Sequence, residues 1–257
     1  GSEMCIETDA ALFRVQDVDV ALLDALPPPT PLDEVLAQLR AYLTRYSHAL
    51  VGEVGIDRSF RLPYPGSAPR RLTRYQTPIE HQLAVLEPQV RLACQLRRSI
   101  SMHSVRAAGH TTNLLARLQR GKDFATLVRR WGACAHTGIV LHSCTLSPES
   151  IRQVQVGAVT GSLTQRTYPN VYVSFSTTLH KDALLTQTIN GRQAALAAQV
   201  SACDPSRLLC ESDYHAADEL AKRTMASANM LAETHQLSAD ALTDNFARFA
   251  KWSGRST

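Results

Sequence analysis

Five short apolar runs recur along the chain, at 49–54, 99–104, 138–143, 171–176 and 207–212. Each is too uniformly apolar to lie half exposed. Stretches of helical spacing separate them, at 79–97, 111–120, 148–156 and 182–200. Further helices are predicted at 30–46, 216–236 and 239–252. Strands covered on both faces and joined by helices build parallel sheets, so the pattern specifies an α/β fold. In the first helix, apolar side chains recur at 32, 35, 36, 39, 42, 43 and 46, an amphipathic spacing. Thr30 is placed to cap it, Pro31 suits its first position and Asp33 its first turn. Pro88 is expected to kink or split the 79–97 helix. The Pro- and Arg-rich residues 61–78 read as a long irregular loop.

Four of the five runs end on a potential metal ligand. The first carries Glu53, the second His103, the third His142, and the fifth leads into Asp213. A glutamate inside Val51-Gly52-Glu53-Val54-Gly55-Ile56-Asp57 is costly to bury without a partner. Taken singly, each residue has a plainer role: a hydrogen-bonded core histidine, or a carboxylate capping a helix. Their shared position at strand ends is what singles them out. In a (β/α) barrel, active sites are assembled at the C-terminal ends of several strands. Two imidazoles and two carboxylates suit a divalent metal, zinc in particular. His48, His81, His110, His136 and His235 fall in predicted helices or loops and read as surface or structural. His180 and His215 follow strands closely, and His215 lies near enough to Asp213 to reach the same site.

Composition bounds the rest. The 257 residues carry a formal net charge of +4, mildly favourable to a phosphate-bearing partner. No apolar run approaches the ~20 residues of a membrane span. No secretory signal is evident, and Gly1-Ser2 looks like a tag remnant, so an intracellular protein, cytoplasmic or nuclear, is expected. Six cysteines without a C-x-x-C pair read as reduced core thiols. No glycine-rich dinucleotide or P-loop motif follows any strand.

These residues carry a family resemblance. GEVGID at 52–57 resembles the GEIGLD signature of TatD metal-dependent hydrolases. SMHSVRA at 101–107, IVLHS at 139–143, VYVSFS at 171–176 and CESD at 210–213 resemble the family's later blocks, in order. Gln82, within EHQLAVLEPQVRLA, and Asn245, within TDNFARF, fall where family helices carry the same residues. The resemblance covers about 30–252 and implies one TIM-type (β/α) barrel domain across 1–257. It implies one or two divalent ions (zinc, magnesium or manganese) held by Glu53, His103, His142 and Asp213. Glu53 would bridge two ions, and Asp213 would orient or deprotonate the attacking water. The implied activity is metal-dependent hydrolysis of DNA or another phosphodiester. Arg58 and Arg61 lie where they would meet phosphate, with Arg70, Arg71 and Arg74 extending a basic strip. LPPPTPLDEVLAQLR and ESDYH resemble a fungal branch described as interacting with a subunit of the anaphase-promoting complex. That implies a possible protein partner.

The family's H-x-H strand has no counterpart here: the first histidine is His48. The stretch before Glu53 is too short for three further β/α units of roughly 30 residues each. The N-terminal barrel strands are therefore expected to be missing or unrecognisable. Without H-x-H, a single ion held by Glu53, His103 and His142, or none, is the expected outcome. Arg106 sits one place later than the family arginine, and HSCT at 142–145 lacks an aromatic the family carries. Two competing readings stand beside the phosphodiesterase. One is a catalytically weak barrel binding a cell-cycle complex. The other is a related hydrolase of amide or ester bonds.

Overall fold

The computed structural model describes residues 22, 24–66, 71–119, 137–156, 170–176 and 191–251. Five parallel strands form one sheet in the order β1-β2-β3-β4-β5. They are β1 (Val51–Asp57), β2 (Ile100–Val105), β3 (Ile139–Leu141), β4 (Val171–Ser176) and β5 (Leu208–Glu211). Among the described residues seven α-helices accompany them: α1 (Leu32–Arg45), α2 (Ile79–Gln95), α3 (Ala108–Gln119), α4 (Pro148–Val156), α5 (Gly191–Ser201), α6 (Leu220–His235) and α7 (Ala239–Lys251). Sequential strand order is that of a (β/α) barrel, which winds in one direction. A doubly wound sheet reverses at a switch point. Among the described residues β1 and β5 are the sheet edges.

Alternation along each strand divides the sheet into two unlike faces. Val54, Ile56, Ile100, Met102, Ile139, Leu141, Val173 and Phe175 belong to one large core, together with Val90 of α2, Leu115 of α3 and Leu231 of α6. The opposite face holds a smaller cluster of Val140, Tyr172 and Leu209, closed by Phe249 of α7. The Tyr172 and Phe249 rings meet edge to face at 5.3 Å. Ser99, just before β2, donates through its hydroxyl to the Phe249 carbonyl at 3.0 Å. This plug sits toward the N-terminal ends of the strands. Asn245, one α7 turn earlier, donates to the Pro205 and Leu208 carbonyls at 2.7 and 2.8 Å and fastens the helix to β5.

Several local expectations are corrected. Pro88 lies inside α2, yet the helix runs unbroken from Ile79 to Gln95. Burial of Leu86, Val90, Leu92, Ala93 and Cys94 against the sheet outweighs an internal proline cost of about 3 kcal/mol. Thr30 does not cap α1: Pro31 occupies the N-cap and no side chain bonds there. The 61–78 segment is not irregular throughout. Leu62 donates to Tyr75 at 3.0 Å, Thr73 to Leu62 at 2.8 Å, and Tyr64 to Arg71 at 2.9 Å, so its two arms pair as an antiparallel ribbon. Cys144, Cys203 and Cys210 are free thiols as expected, whereas Cys94 is disulfide-bonded. Residues 177–190, including His180 and the start of the predicted 182–200 helix, lie outside the described residues, as do Arg70 and His136.

The two glycines of β1 lie where its backbone closely approaches β2. A Cβ on Gly55 would stand 2.0 Å from the His103 carbonyl oxygen, and one on Gly52 2.8 Å from Ser101 Cβ. Only glycine lets the two backbones approach this closely. Gly55→Ala is expected to destabilise the fold by about 1–3 kcal/mol, measured by urea denaturation. Gly109→Ala, whose Cβ meets nothing within 4 Å near the start of α3, should be neutral or stabilising by up to about 1 kcal/mol.

Candidate metal centre

Register places the polar residues together. Gly55 of β1 lies opposite His103 of β2, and the pairing is irregular between Val51 and Val54. Glu53 falls in that irregular step. Met102 of β2 pairs with Leu141 of β3, and the next residue, His142, donates its backbone N–H to Met102 at 3.1 Å. Glu53, His103 and His142 thereby offer donor atoms to one point, all within 4.8 Å of one another. Glu53 Oε1 lies 2.5 Å from His103 Nδ1 and 2.5 Å from His142 Nε2, and the two nitrogens are 3.1 Å apart.

Protons can bridge the atoms of this triangle in pairs, and a single cation could accept all three at once. The widest side is also less than twice the ~2.0–2.1 Å bond length of zinc to nitrogen or oxygen, so one ion reaches every corner. The donor set is of the His₂Glu kind, which leaves further coordination positions open.

Each imidazole has a carboxylate behind it. Glu211, the last residue of β5, faces His142 Nδ1 at 3.4 Å, and Asp57 faces His103 Nε2 at 3.8 Å. Such partners fix the ring and its tautomer. Glu211 is itself held by the Ser143 N–H at 2.5 Å and the Ser174 hydroxyl at 2.6 Å. Burial would raise its pKa, but these bonds and His142 hold it below the ordinary glutamate range. Burial likewise opposes the charged form of His142. The hydrogen bond and charge of Glu211, with those of Glu53, outweigh it and push the imidazole up to about 9. Gln82 of α2 braces Asp57: its amide oxygen accepts the Asp57 N–H at 2.7 Å and its nitrogen donates to the Asp57 carbonyl at 3.0 Å.

Asp213 stands apart from the three-residue cluster. It is exposed, with φ of 47°, and its Oδ2 accepts the Ser143 hydroxyl at 2.7 Å. Arg106, Ser143 and Asp213, just beyond the ends of β2, β3 and β5, all have φ between 41° and 50°. Strained backbone of this kind persists where surrounding structure over-determines it. Arg58 and Arg61 are exposed, and Arg61 is turned onto the Arg74 carbonyl at 3.1 Å. His215 is exposed, its ring 4.8 Å from that of Tyr214. None of these three bonds to the cluster among the described residues. His235 behaves as a structural residue, its Nε2 2.5 Å from the Val200 carbonyl. Glu211, Asp57 and Ser143 were not singled out by sequence reasoning. Glu211 obeys the rule that found the others, since it ends an apolar run.

Metal loading competes with protons at His142. Its pKa is higher folded than unfolded, so its stabilisation is fully present below about 6.5 and lost as pH rises through about 9. In chelator, wild type should therefore lose roughly 2–3 kcal/mol relative to His142→Gln between pH 6 and pH 9.5, read by denaturant titration. A pH-independent difference would remove Glu211 and Glu53 as the cause. Glu211→Gln should weaken zinc or manganese binding by about 10–100-fold, read by calorimetry.

The TatD related DNase family model matches residues 27–251. The chain is 29% identical over 235 residues to the Cut9-interacting protein scn1 of Schizosaccharomyces pombe, covering 84% of this chain and 65% of that protein. It is 30% identical over 114 residues to the uncharacterized deoxyribonuclease YMR262W of Saccharomyces cerevisiae, covering 41% of this chain and 34% of that one. The chain thus spans less than two thirds of either relative's length. Its fold resembles the crystal structure of YJJV, a TatD homologue from Escherichia coli, with a TM-score of 0.55 at 18% identity over 89% of this chain and 73% of that one. It also resembles an uncharacterized amidohydrolase from Saccharomyces cerevisiae, with a TM-score of 0.50 at 14% identity over 85% of this chain and 69% of that one. The fold is the TatD-like fold of barrel metal hydrolases, and the chain belongs to the TatD-related DNase family.

Proposed function

We propose that the protein is a metal-dependent hydrolase that cleaves phosphodiester bonds of DNA with an activated water. The observation that supports this reading is the triangle of Glu53, His103 and His142, whose donor atoms lie close enough to share one cation. A divalent ion bound there supplies Lewis acidity and lowers the pKa of water toward ~7. The chain's own residues do the rest. Glu53, His103 and His142 hold the ion, while Glu211 and Asp57 keep the imidazoles oriented. To Asp213, whose Oδ2 accepts the Ser143 hydroxyl, we assign the role of accepting a proton through Oδ1. Three described ligands make one ion site, consistent with the absence of an H-x-H in this chain.

The cleft beside the cluster supports a substrate role. It measures about 430 Å³ and is lined by Glu53, His103, Asp57, Phe60, Thr77 and Gln82. Arg58 and Arg61 follow β1 and are exposed, and we assign them to the phosphate backbone. His215 is assigned to the substrate side of Asp213. We assign the protein to the cell interior, cytoplasm or nucleus, where a DNA substrate would be met. None of the described helices is long and apolar enough to cross a membrane.

A second reading is favoured by one finding, the name of the Schizosaccharomyces pombe relative as a Cut9-interacting protein. In it the barrel serves as a binding partner in a cell-cycle assembly and turns over slowly or not at all. Nuclease assays with Mg²⁺, Mn²⁺ and Zn²⁺ separate the two. Wild type should cleave DNA, Glu53→Ala should fall to background, and Asp213→Asn should lose at least about 10²-fold. Equal activity in all three proteins would reject the site. Metal binding without turnover would favour the second reading.

A further inference from the structure

One strand supplies no ligand. Of the five apolar runs, that of β4 ends on Ser176 rather than on a histidine or a carboxylate. It contributes two hydroxyls instead. Ser174 and Ser176 lie two residues apart, so both point to the same face of the sheet. Both are buried. Ser174 is spent on Glu211, to which its hydroxyl donates at 2.6 Å. Ser176 has a different partner, the Ser143 hydroxyl, at 2.8 Å.

Ser143 joins three groups. Its backbone N–H donates to Glu211 Oε1 at 2.5 Å. Its Oγ lies 2.7 Å from Asp213 Oδ2 and 2.8 Å from Ser176 Oγ. A hydroxyl carries a single hydrogen, and a carboxylate only accepts. Ser143 therefore gives its hydrogen to Asp213, and Ser176 gives its own to Ser143. The two bonds run one way, from a fully buried residue of β4, through Ser143, to an exposed carboxylate beyond β5. Bonds in such a chain polarise one another, and the one that ends on a carboxylate is of the stronger, charge-assisted kind. An exposed aspartate otherwise moves among its rotamers. With Oδ2 tied, the position of Oδ1 is set as well. Ser143 also follows His142 directly, so one residue ties the Asp213 side of the site to the ligand side.

We propose that Ser143 and Ser176 are positioning residues: Ser143 holds the Asp213 carboxylate in the orientation that receives a proton, and Ser176 fixes the Ser143 hydroxyl from behind. The inference rests on the hydrolase reading and on its assignment of Asp213 as proton acceptor. A packing role for these serines would act through the fold or the metal ligands. A positioning role acts through Asp213, on kcat and not on metal binding or KM.

Hydrolysis of bis(p-nitrophenyl) phosphate by the full chain at saturating Mn²⁺ tests this. Ser143→Ala should lower kcat by roughly 10- to 100-fold, and Ser176→Ala by about 3- to 10-fold. In both, KM should stay within about twofold of wild type. In an Asp213→Asn background each serine substitution should cost less than about twofold further, because the group it acts through is gone. Manganese affinity, read by calorimetry, should stay within about twofold of wild type in both variants, since the ligands and the Ser143 N–H to Glu211 are kept. Circular dichroism and melting establish that each variant folds. Should Ser143→Ala fail to fold, Ser176→Ala alone decides. A wild-type kcat in either folded serine variant overturns the inference and leaves the hydrolase reading standing. Costs that persist in full beside Asp213→Asn, or manganese affinity that falls in step with kcat, overturn it too. No turnover by wild type would sink the hydrolase reading, and this inference with it.

Discussion

The site depends on how closely β1 approaches β2. Parallel strands normally carry side chains that hold backbones at a standard spacing. Here Gly55 lies against the His103 carbonyl with no room for a Cβ, and Gly52 against Ser101. The irregular pairing between Val51 and Val54 then delivers Glu53 beside His103 rather than one rung away. A carboxylate in an apolar strand is thus matched by two imidazoles brought from neighbouring strands. Shift that contact by one residue and Glu53 would face the helices.

The two ends of the sheet do different work. Toward the N-terminal ends, Phe249 and Tyr172 close the inner face, and Asn245 ties α7 to β5. Toward the C-terminal ends the same face turns polar, with Ser174, Ser176, Glu211 and the three cluster residues. The polar end is built in layers. Serines fix Glu211, Glu211 fixes His142, and His142 meets Glu53. The shifts of His142 and Glu211 arise from hydrogen bonds and charge, the pair's own among them, against burial, which opposes the charged form of each.

Much of this was legible in the sequence. The apolar runs located all five strands to within a few residues, because parallel strands are buried on both faces and read as continuous apolar stretches. The rule that apolar runs end on ligand-type residues picked out Glu53, His103 and His142, which the fold brings together. It passed over Glu211, which sits at the last position of β5, because Asp213 two residues on drew the attention. Helix limits were less legible. Pro88 reads as a break, but a helix pressed along its length against a sheet tolerates one missing N–H. The ribbon at 58–76 was opaque for another reason. Its pairing rests on backbone groups, and prolines and glycine at its tip look the same in a loop as in a turn.

Gln82 has a consequence for β1, an edge of the sheet among the described residues. Its side chain takes both the N–H and the carbonyl of Asp57, and it donates as well to Thr77 at 3.0 Å. In effect one amide side chain imitates a neighbouring strand for a single rung. Any polypeptide that docked along this border would find the terminal rung already satisfied. It would have to register against the stretch around Glu53 and Gly55, directly beside the Glu53–His103–His142 cluster, and the α2 glutamine marks where it must stop.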